Sequence, residues 1–496
     1  MNIINGDCLE ELKKLEDNSV DAVITDPPYG LSNTKPQQVA DVLKAWVTGD
    51  TVSVPAKRGG FMGADWDSFV PPPAVWEECM RVLKPGGHMA VFAGARTQDL
   101  MGLSIRLAGF EIRDTLGWIY GSGFPKSMDV SKAIDKGQGK NRQRQLEFTE
   151  WMRSTGITAR EIDEATDTNM GSHYLTDRSQ PAIATADLFD KLRPLLPEVP
   201  ERIERLVAER TGIEWTDYVK REVVGRYGSG LHTGPSGVGG HGEGGNITAP
   251  ATDAAKQWDG WGTALKPAIE PIILARKPLD GTVANNVLSH GVGGLNIDAC
   301  RVGTDEDTSR TPSVVGDTSA PMGRGIAMGG RGHSAGRFPA NVLLDEHAAK
   351  EMDKQSGVSV SSVRVNVEKD YTSSQSLTPD SGKGGDRGHT DSGGASRFFP
   401  VFKYQAKAPK KERPVIERED GTKIQHPTVK PEKLMSWLVE LITPPGGVVL
   451  DPFAGSGTTL EAARNKNFHA IGIEQDADYI KLIEKRLEAT CTTHKN

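Results

Sequence analysis

The chain has 496 residues, more than one ordinary hydrophobic core supports, so two or three structural units are expected. Hydrophobic residues make up only 36%, against 56 Gly and 30 Pro, which points to globular units joined by much loop. With 59 basic and 66 acidic residues the net charge is −7, which excludes a generally basic nucleic-acid binder and confines any such surface to a local patch. Cys8, Cys79, Cys300 and Cys491 are far apart and form no Cys-x-x-Cys pair, so neither a disulfide framework nor a structural zinc site is expected. No stretch has the length of apolar sequence a membrane span needs, and Met1 to Asp17 lacks the layout of a signal peptide. A cytoplasmic protein without a membrane partner is the expectation.

The first 130 residues alternate between helix and strand. A helix is predicted from about Cys8 to Leu15, and a β-rich run over Val20–Thr25 stops at Asp26-Pro27-Pro28. Ala74–Leu83 has helical spacing, Pro85-Gly86-Gly87 reads as a turn, and His88–Ala93 as a buried strand. Another helix follows over Arg96–Ala108, then one or two strands over Phe110–Tyr120.

The middle of the chain is more polar. Ser122 to Gln145 carries six basic and two acidic residues, which suits either a local nucleic-acid contact or a solvated linker. Gly156–Thr176 reads as two short helices around a polar turn, a layout shared by helix-turn-helix elements and by many α-rich inserts. Nine glycines between Arg226 and Pro250, and a Gly-, Ser- and Asp-rich stretch from Arg301 to Arg397, predict long loops that bury little apolar surface. Between them Ala268–Ala275 reads as a core strand.

The last 70 residues are the most regular. Leu434, Trp437, Leu438, Leu441 and Ile442 share one helical face, and Pro444-Pro445-Gly446-Gly447 ends that helix. A strand over Val448–Leu450, a glycine turn, a helix from about Thr458 and a strand over His469–Ile473 complete a βαβ unit. In the turn, Gly455-Ser456-Gly457 lets backbone approach a ligand, and Glu474 closes the next strand, 23 residues after Asp451, where an acid accepts hydrogen bonds from ribose hydroxyls. No lysine follows Gly457 as a phosphate-binding loop requires, and Leu460 replaces the third glycine of a dinucleotide loop. A nucleoside ligand without a phosphate chain, such as S-adenosylmethionine, fits better. The second motif, Asp26-Pro27-Pro28-Tyr29-Gly30, sets an acid and an aromatic ring on a stiff loop at the carboxyl end of a strand, a slot for a flat polar group.

With these residues the sequence resembles the amino-methylating DNA methyltransferases of the β class, whose marks are Asp-Pro-Pro-Tyr and a Phe-x-Gly-x-Gly turn. The order of the motifs, Asp26-Pro27-Pro28-Tyr29 first and Asp451-Pro452-Phe453-Ala454-Gly455-Ser456-Gly457 last, is that of the permuted class, and His426-Pro427-Thr428-Val429-Lys430-Pro431 matches its segment ahead of the cofactor turn. The middle is similar to long phage and prophage methyltransferases in Gly123-Phe124-Pro125-Lys126-Ser127, Trp261-Gly262-Thr263-Ala264-Leu265-Lys266-Pro267 and Phe338-Pro339-Ala340-Asn341-Val342.

The resemblance implies an α/β fold, a Rossmann-like S-adenosylmethionine-dependent methyltransferase sheet, circularly permuted and carrying a large central insertion. The expected divisions are residues 1–130 and 401–496 as the two halves of the core, 131–225 as a helical basic insert for target recognition, and 226–400 as glycine-rich loops and an accessory region. It implies that Asp26 and the Pro27 carbonyl accept from the exocyclic amino group of a flipped base, with Pro28 stiffening the loop and Tyr29 stacking on the base. Asp451, Phe453, Gly455, Ser456 and Gly457 would follow the methionine part of the cofactor, Thr428 and Lys430 its carboxylate, and Glu474 its ribose. Asp7 would meet the adenine edge, an N-cap for the following helix being the alternative. Lys407, Lys410 and Lys411 suit the phosphate backbone or a solvated surface; Lys126, His173, Arg178 and Gln180 are candidates for DNA contact.

The expected reaction is methyl transfer to adenine N6 in double-stranded DNA, because Asp leads the first motif; cytosine N4 is the alternative. Methylation of protein glutamine would favour Asn in place of Asp26, and a non-catalytic DNA-binding module would show eroded motifs. The expected partner is DNA, with a second copy of the chain and a separate restriction endonuclease left open; no metal is expected.

Overall fold

The computed structural model describes residues 1–32, 34–55, 67–121, 123, 127–135, 138–178, 180–210, 223–226, 232–233, 239–240, 246–249, 253–304, 336–360, 391–402, 413–418 and 420–493. Lys126, Lys407, Lys410 and Lys411, four of the expected DNA contacts, lie outside the described residues.

A nine-stranded sheet forms the centre. In chain order its strands are β1 (Asn2–Asn5), β2 (Val20–Thr25), β3 (Leu83–Phe92), β4 (Glu111–Ile119), β5 (Ile269–Arg276), β6 (Val342–Asp345), β7 (Val401–Phe402), β8 (Val448–Asp451) and β9 (His469–Glu474). Across the sheet they run β1-β9-β8-β2-β3-β5-β4-β6-β7. Neighbours pair in parallel except at β5, which is antiparallel to both β3 and β4. The two strands latest in the sequence, β8 and β9, thus sit between the two earliest. This interleaving is the permuted, Rossmann-like order that the sequence motifs imply.

Both faces of the sheet are covered, which is why its strands read as continuous apolar runs. Along β3, Ala90 and Phe92 join one core with Ile272, Leu274 and the Glu432–Ile442 helix, while Met89 and Val91 join another with Ile273, Ala275 and the Pro73–Val82 helix. Burying a side chain of the size of Leu438 or Met89 in these layers contributes about 1.5–3 kcal/mol each. The one acid inside β2, Asp21, is buried but satisfied: Lys84 Nζ lies 2.6 Å from one oxygen and the Val448 N–H donates to the other at 2.7 Å.

The structure corrects the reading in two places. The Pro85-Gly86-Gly87 turn is an irregularity within one strand, β3, whose register against β2 shifts between Val20 and Ala22; Gly86 supplies the positive φ of +77° it needs. Of the one or two strands expected over Phe110–Tyr120 the structure forms one, β4, with a register shift against β5 between Ile112 and Asp114. The division at 226–400 does not hold, because that stretch supplies β5 and β6 to the central sheet. Compact grouping instead joins Met1–Gly123 with Ala268–Asn496 and sets Phe124–Pro267 apart.

The Phe124–Pro267 unit is helical around its own core of Phe148, Met152, Ile162, Tyr174, Phe189 and Leu192. The two predicted short helices are Ala159–Thr166 and Gly171–Leu175. Thr158 and Glu161 form a capping box at the first, and Asp167 closes it in the left-handed conformation. The helices approach so closely that a Cβ on Gly171 would stand 2.2 Å from the Ala159 carbonyl oxygen.

Candidate active site

Four neighbouring parallel strands, β1, β9, β8 and β2, end on one edge of the sheet, and each delivers a motif there. Asn5 of β1 is in register with Glu474 of β9, and Asp451 of β8 with Gly472, while Leu450 pairs with Val23 of β2. Open α/β sheets bind ligands at such carboxyl ends.

The Asp26–Gly30 loop leaves β2 in a fixed shape. Asp67 Oδ1 accepts from the Tyr29 N–H at 2.7 Å and the Gly30 N–H at 2.9 Å, and Thr97 Oγ1 donates to the Tyr29 carbonyl at 2.6 Å. Gly30 takes φ +67°, and a Cβ there would lie 2.7 Å from the Val70 nitrogen. Burial pushes the Asp67 carboxyl up, against the N–H donors that hold it down.

Four polar side chains converge at the mouth of this loop. The Tyr29 hydroxyl donates to Asp26 Oδ1 at 2.8 Å, and Lys430 Nζ lies 2.6 Å from Asp26 Oδ2. Lys430 also reaches the Tyr29 hydroxyl at 3.0 Å and Glu270 Oε2 at 3.3 Å, with its ammonium 4.8 Å from the centre of the Phe92 ring. Burial alone would lower the Lys430 ammonium, but Asp26 and Glu270 hold it above the ordinary lysine value. The Tyr29 phenol is pushed well up by burial and by the same two carboxylates.

At the end of β8, both oxygens of the buried Asp451 are engaged inside the protein. Oδ1 accepts from Thr25 Oγ1 at 2.7 Å and the Phe453 N–H at 3.1 Å, and Oδ2 from Thr459 Oγ1 at 2.5 Å. Asp451 therefore ties the glycine turn to the last residue of β2, one residue before Asp26. Burial pushes its carboxyl up to about 6 despite these donors. Gly455 and Gly457 take φ of +53° and +79°. A Cβ on Gly455 would stand 3.0 Å from His426 Nε2, so this glycine keeps open the space between turn and histidine. Ser456 is buried and takes a 3.3 Å contact from Arg486, which is paired with Glu461. Phe453 packs against Trp76 with ring centres 6.4 Å apart.

Glu474 closes β9 with Oε2 accepting from the Gly455 N–H at 2.8 Å and Oε1 from the Asp476 N–H at 2.9 Å. Burial is the main cause that pushes it up to about 7, helped by Asp476 and Asp451. Asp7 caps the following helix, accepting from Leu9 N–H at 3.0 Å and Glu10 N–H at 3.3 Å. Thr428 is exposed, and its carbonyl meets His426 Nδ1. The glycine turn and the carboxylate of Glu474 beside it fit a nucleoside ligand such as S-adenosylmethionine.

The expected residues Asp26, Pro27, Tyr29, Lys430, Asp451, Gly455, Ser456, Gly457 and Glu474 thus share one edge of the sheet. Lys430 stands with Asp26, whereas the sequence reading gave it to the cofactor carboxylate. His173 and Gln180 meet in the helical unit, where His173 Nδ1 lies 3.0 Å from the Gln180 carbonyl, and Arg178 is 94% exposed beside Asp177. Sequence reasoning missed Glu270, Asp67, Thr97, Thr25 and Thr459. Only Glu270 carried a signal, as a lone acid before Pro271 at the head of an apolar strand. Among the described residues no cluster is suited to a metal ion, and no helix is long and apolar enough to cross a membrane.

The family model for N6/N4 DNA methylases matches residues 20–182 and 339–485, more than half of the chain, and the chain belongs to that family. It is similar to the type II methyltransferase M2.DpnII of Streptococcus pneumoniae, 43% identical over 70 residues, or 14% of this chain and 26% of that protein. To the type II methyltransferase M.HinfI of Haemophilus influenzae it is 46% identical over 72 residues, 14% of this chain and 20% of that protein. The matched stretch is thus about a quarter or less of either relative. Among solved structures, the M1.HpyAVI–SAM complex aligns over 98% of both chains at 12% identity and a TM-score of 0.33. The PvuII cytosine-N4-specific DNA methyltransferase aligns over 98% of this chain and 85% of its own, at 12% identity and a TM-score of 0.36.

Proposed function

We propose that the chain transfers a methyl group from S-adenosylmethionine to the N6 amino group of adenine in double-stranded DNA. The observation that carries this reading is the coupling of the two motifs: Thr25 and Asp451 join the loop bearing Asp26 to the glycine turn beside Glu474. An acceptor for an amino group and a cradle for a nucleoside are then held by adjacent strands.

An exocyclic amino nitrogen is a poor nucleophile because its lone pair is delocalised into the ring. Asp26 and the Pro27 carbonyl, each accepting one N–H, draw it toward tetrahedral geometry and orient the lone pair. The cofactor would supply the electrophilic methyl group, its carbon–sulfur bond breaking as the nitrogen–carbon bond forms, and the methylated nitrogen would then lose one N–H proton to solvent. Tyr29 offers its ring to the base while its hydroxyl stays tied to Asp26. A base within a duplex cannot enter, so the nucleotide is flipped at a cost of a few kcal/mol. The lean to adenine rests on Asp26 leading its motif, and His173, Arg178 and Gln180 of the helical unit are the residues proposed for base-edge contact. The type II designation of the two relatives supports a separately encoded endonuclease as counterpart.

Labelled S-adenosylmethionine incubated with unmethylated duplex DNA, followed by nucleoside analysis, is expected to give N6-methyladenine. N4-methylcytosine would overturn the choice of base, and no label in DNA the substrate class. Cofactor affinity is also expected to depend on pH. The ribose hydroxyls donate to ionised Glu474, whose carboxyl is pushed up to about 7, so affinity should weaken as pH falls through that value. Titration calorimetry at pH 8 and pH 6 should show about a tenfold loss at the lower pH, the ionised fraction being roughly a tenth there. Glu474→Gln should remove most of the dependence.

A further inference from the structure

We propose that Glu270 is a positioning residue that shares the Lys430 ammonium with Asp26, drawing it aside when the target base arrives so that Asp26 is free to accept the amino N–H. The inference rests on the DNA amino-methylation reading and deepens it.

The topology explains how a strand from the middle of the chain reaches this site. Because β5 is antiparallel to β3, its beginning lies where the parallel strands end: Ile272 is in register with Phe92, and the Ala93 N–H donates to the Pro271 carbonyl at 2.9 Å. Glu270 is therefore carried to the same edge as Asp26, and its Oε2 stands 3.3 Å from Lys430 Nζ and 3.4 Å from the Tyr29 hydroxyl.

Lys430 bridges two carboxylates, bonded more tightly to Asp26, at 2.6 Å, than to Glu270. In that arrangement one oxygen of Asp26 is held by the ammonium and the other by the Tyr29 hydroxyl, so both compete with an incoming amino group. The Lys430 side chain is only 10% exposed, which leaves water little access to take over if the pair with Asp26 loosens. Glu270 offers that alternative partner within a short swing of the same ammonium. Two carboxylates and one ammonium also leave the cluster with a net negative charge. The amino nitrogen gains positive charge as its bond to the methyl carbon forms, and a fixed negative cluster beside it favours that change.

The test compares wild type, Glu270→Gln, Glu270→Asp and the double variant Glu270→Gln/Lys430→Met in single-turnover methyl transfer to duplex DNA, with thermal midpoint and S-adenosylmethionine affinity measured for each. Glu270→Gln should lower the rate tenfold or more, with cofactor affinity and KM for DNA changed less than about threefold. Glu270→Asp should recover most of the rate. Removing the stranded ammonium in the double variant should make it several-fold faster than Glu270→Gln alone, a sign of coupling that a merely structural role does not produce. A Glu270→Gln enzyme as fast as wild type, or a double variant slower than the single, would overturn the inference while leaving the DNA reading intact. If the amide variant does not fold, Glu270→Ala and Glu270→Ala/Lys430→Met take its place, speed-up on loss of the lysine supporting the proposal and further loss opposing it. Absence of transfer by wild type would overturn both.

Discussion

Replacing Asp26 with Ala is expected to lower methyl transfer by at least about a thousandfold and to leave S-adenosylmethionine affinity within about threefold of wild type. The rate loss follows from removing the acceptor that orients the amino lone pair. Retention of cofactor binding follows from geometry, since Asp451 is held by Thr25 and the Phe453 amide, and Glu474 by the Gly455 amide, without using the Asp26 side chain. The fold should also survive, because Lys430 would keep Glu270 at 3.3 Å and the Tyr29 hydroxyl at 3.0 Å and so would not become an orphaned buried charge. Asp26→Asn keeps the shape but offers one acceptor oxygen and no charge, and should fall between wild type and Ala. The check is single-turnover transfer of labelled methyl groups to DNA beside calorimetric titration of the cofactor. Activity retained in the Ala variant would remove Asp26 from the chemistry.

How much of this site was legible in the sequence depends on whether a residue acts through its neighbours in the chain. The Asp26 loop and the Gly455–Gly457 turn were legible because proline and glycine punctuate apolar strands there, and the strand-turn-helix order is local. The βαβ unit at 448–474 was placed almost residue by residue for the same reason. Asp67, by contrast, holds the Tyr29 and Gly30 amides from 37 or 38 residues away, and Glu270 meets Tyr29 across 241. No periodicity announces such contacts. The direction of β5 was hidden too, since a largely apolar run reads alike in a parallel or an antiparallel neighbour. Strands as short as β6 and β7, of four and two residues, carry too few positions to show alternation.

Lys430 illustrates a different limit. Its place in His426–Pro431 was clear, but the sequence could not say which anion it faces. The Glu432–Ile442 helix begins just after Pro431, with Leu434, Leu438 and Leu441 fixed in the core, and this anchoring sets where the preceding residues emerge. That exit point puts the ammonium on Asp26. The same logic governs Asp451, whose buried oxygens serve Thr25, Thr459 and the Phe453 amide and so hold two motifs in alignment.

The turn itself should tolerate substitution poorly, and Gly457→Ala is expected to destabilise the protein by about 2–5 kcal/mol. Two costs add. A non-glycine residue at φ +79° carries strain of roughly 1–2 kcal/mol. The new Cβ would also stand 2.9 Å from Ile483 Cγ2, and Ile483 is fully buried, so relieving the overlap disturbs the core at a further cost of about 1–3 kcal/mol. Gly446→Ala isolates the first cost: its φ is +72°, and a Cβ there meets nothing within 4 Å. It should cost only the strain. Denaturant melts of the two variants should therefore separate, with Gly457→Ala the less stable, and cofactor titration should show weakened binding for Gly457→Ala alone, because the turn must shift to accommodate the methyl group. Equal stability of the two variants would mean that Ile483 yields freely and that the turn is not held by the Ala477–Thr493 helix that carries this side chain.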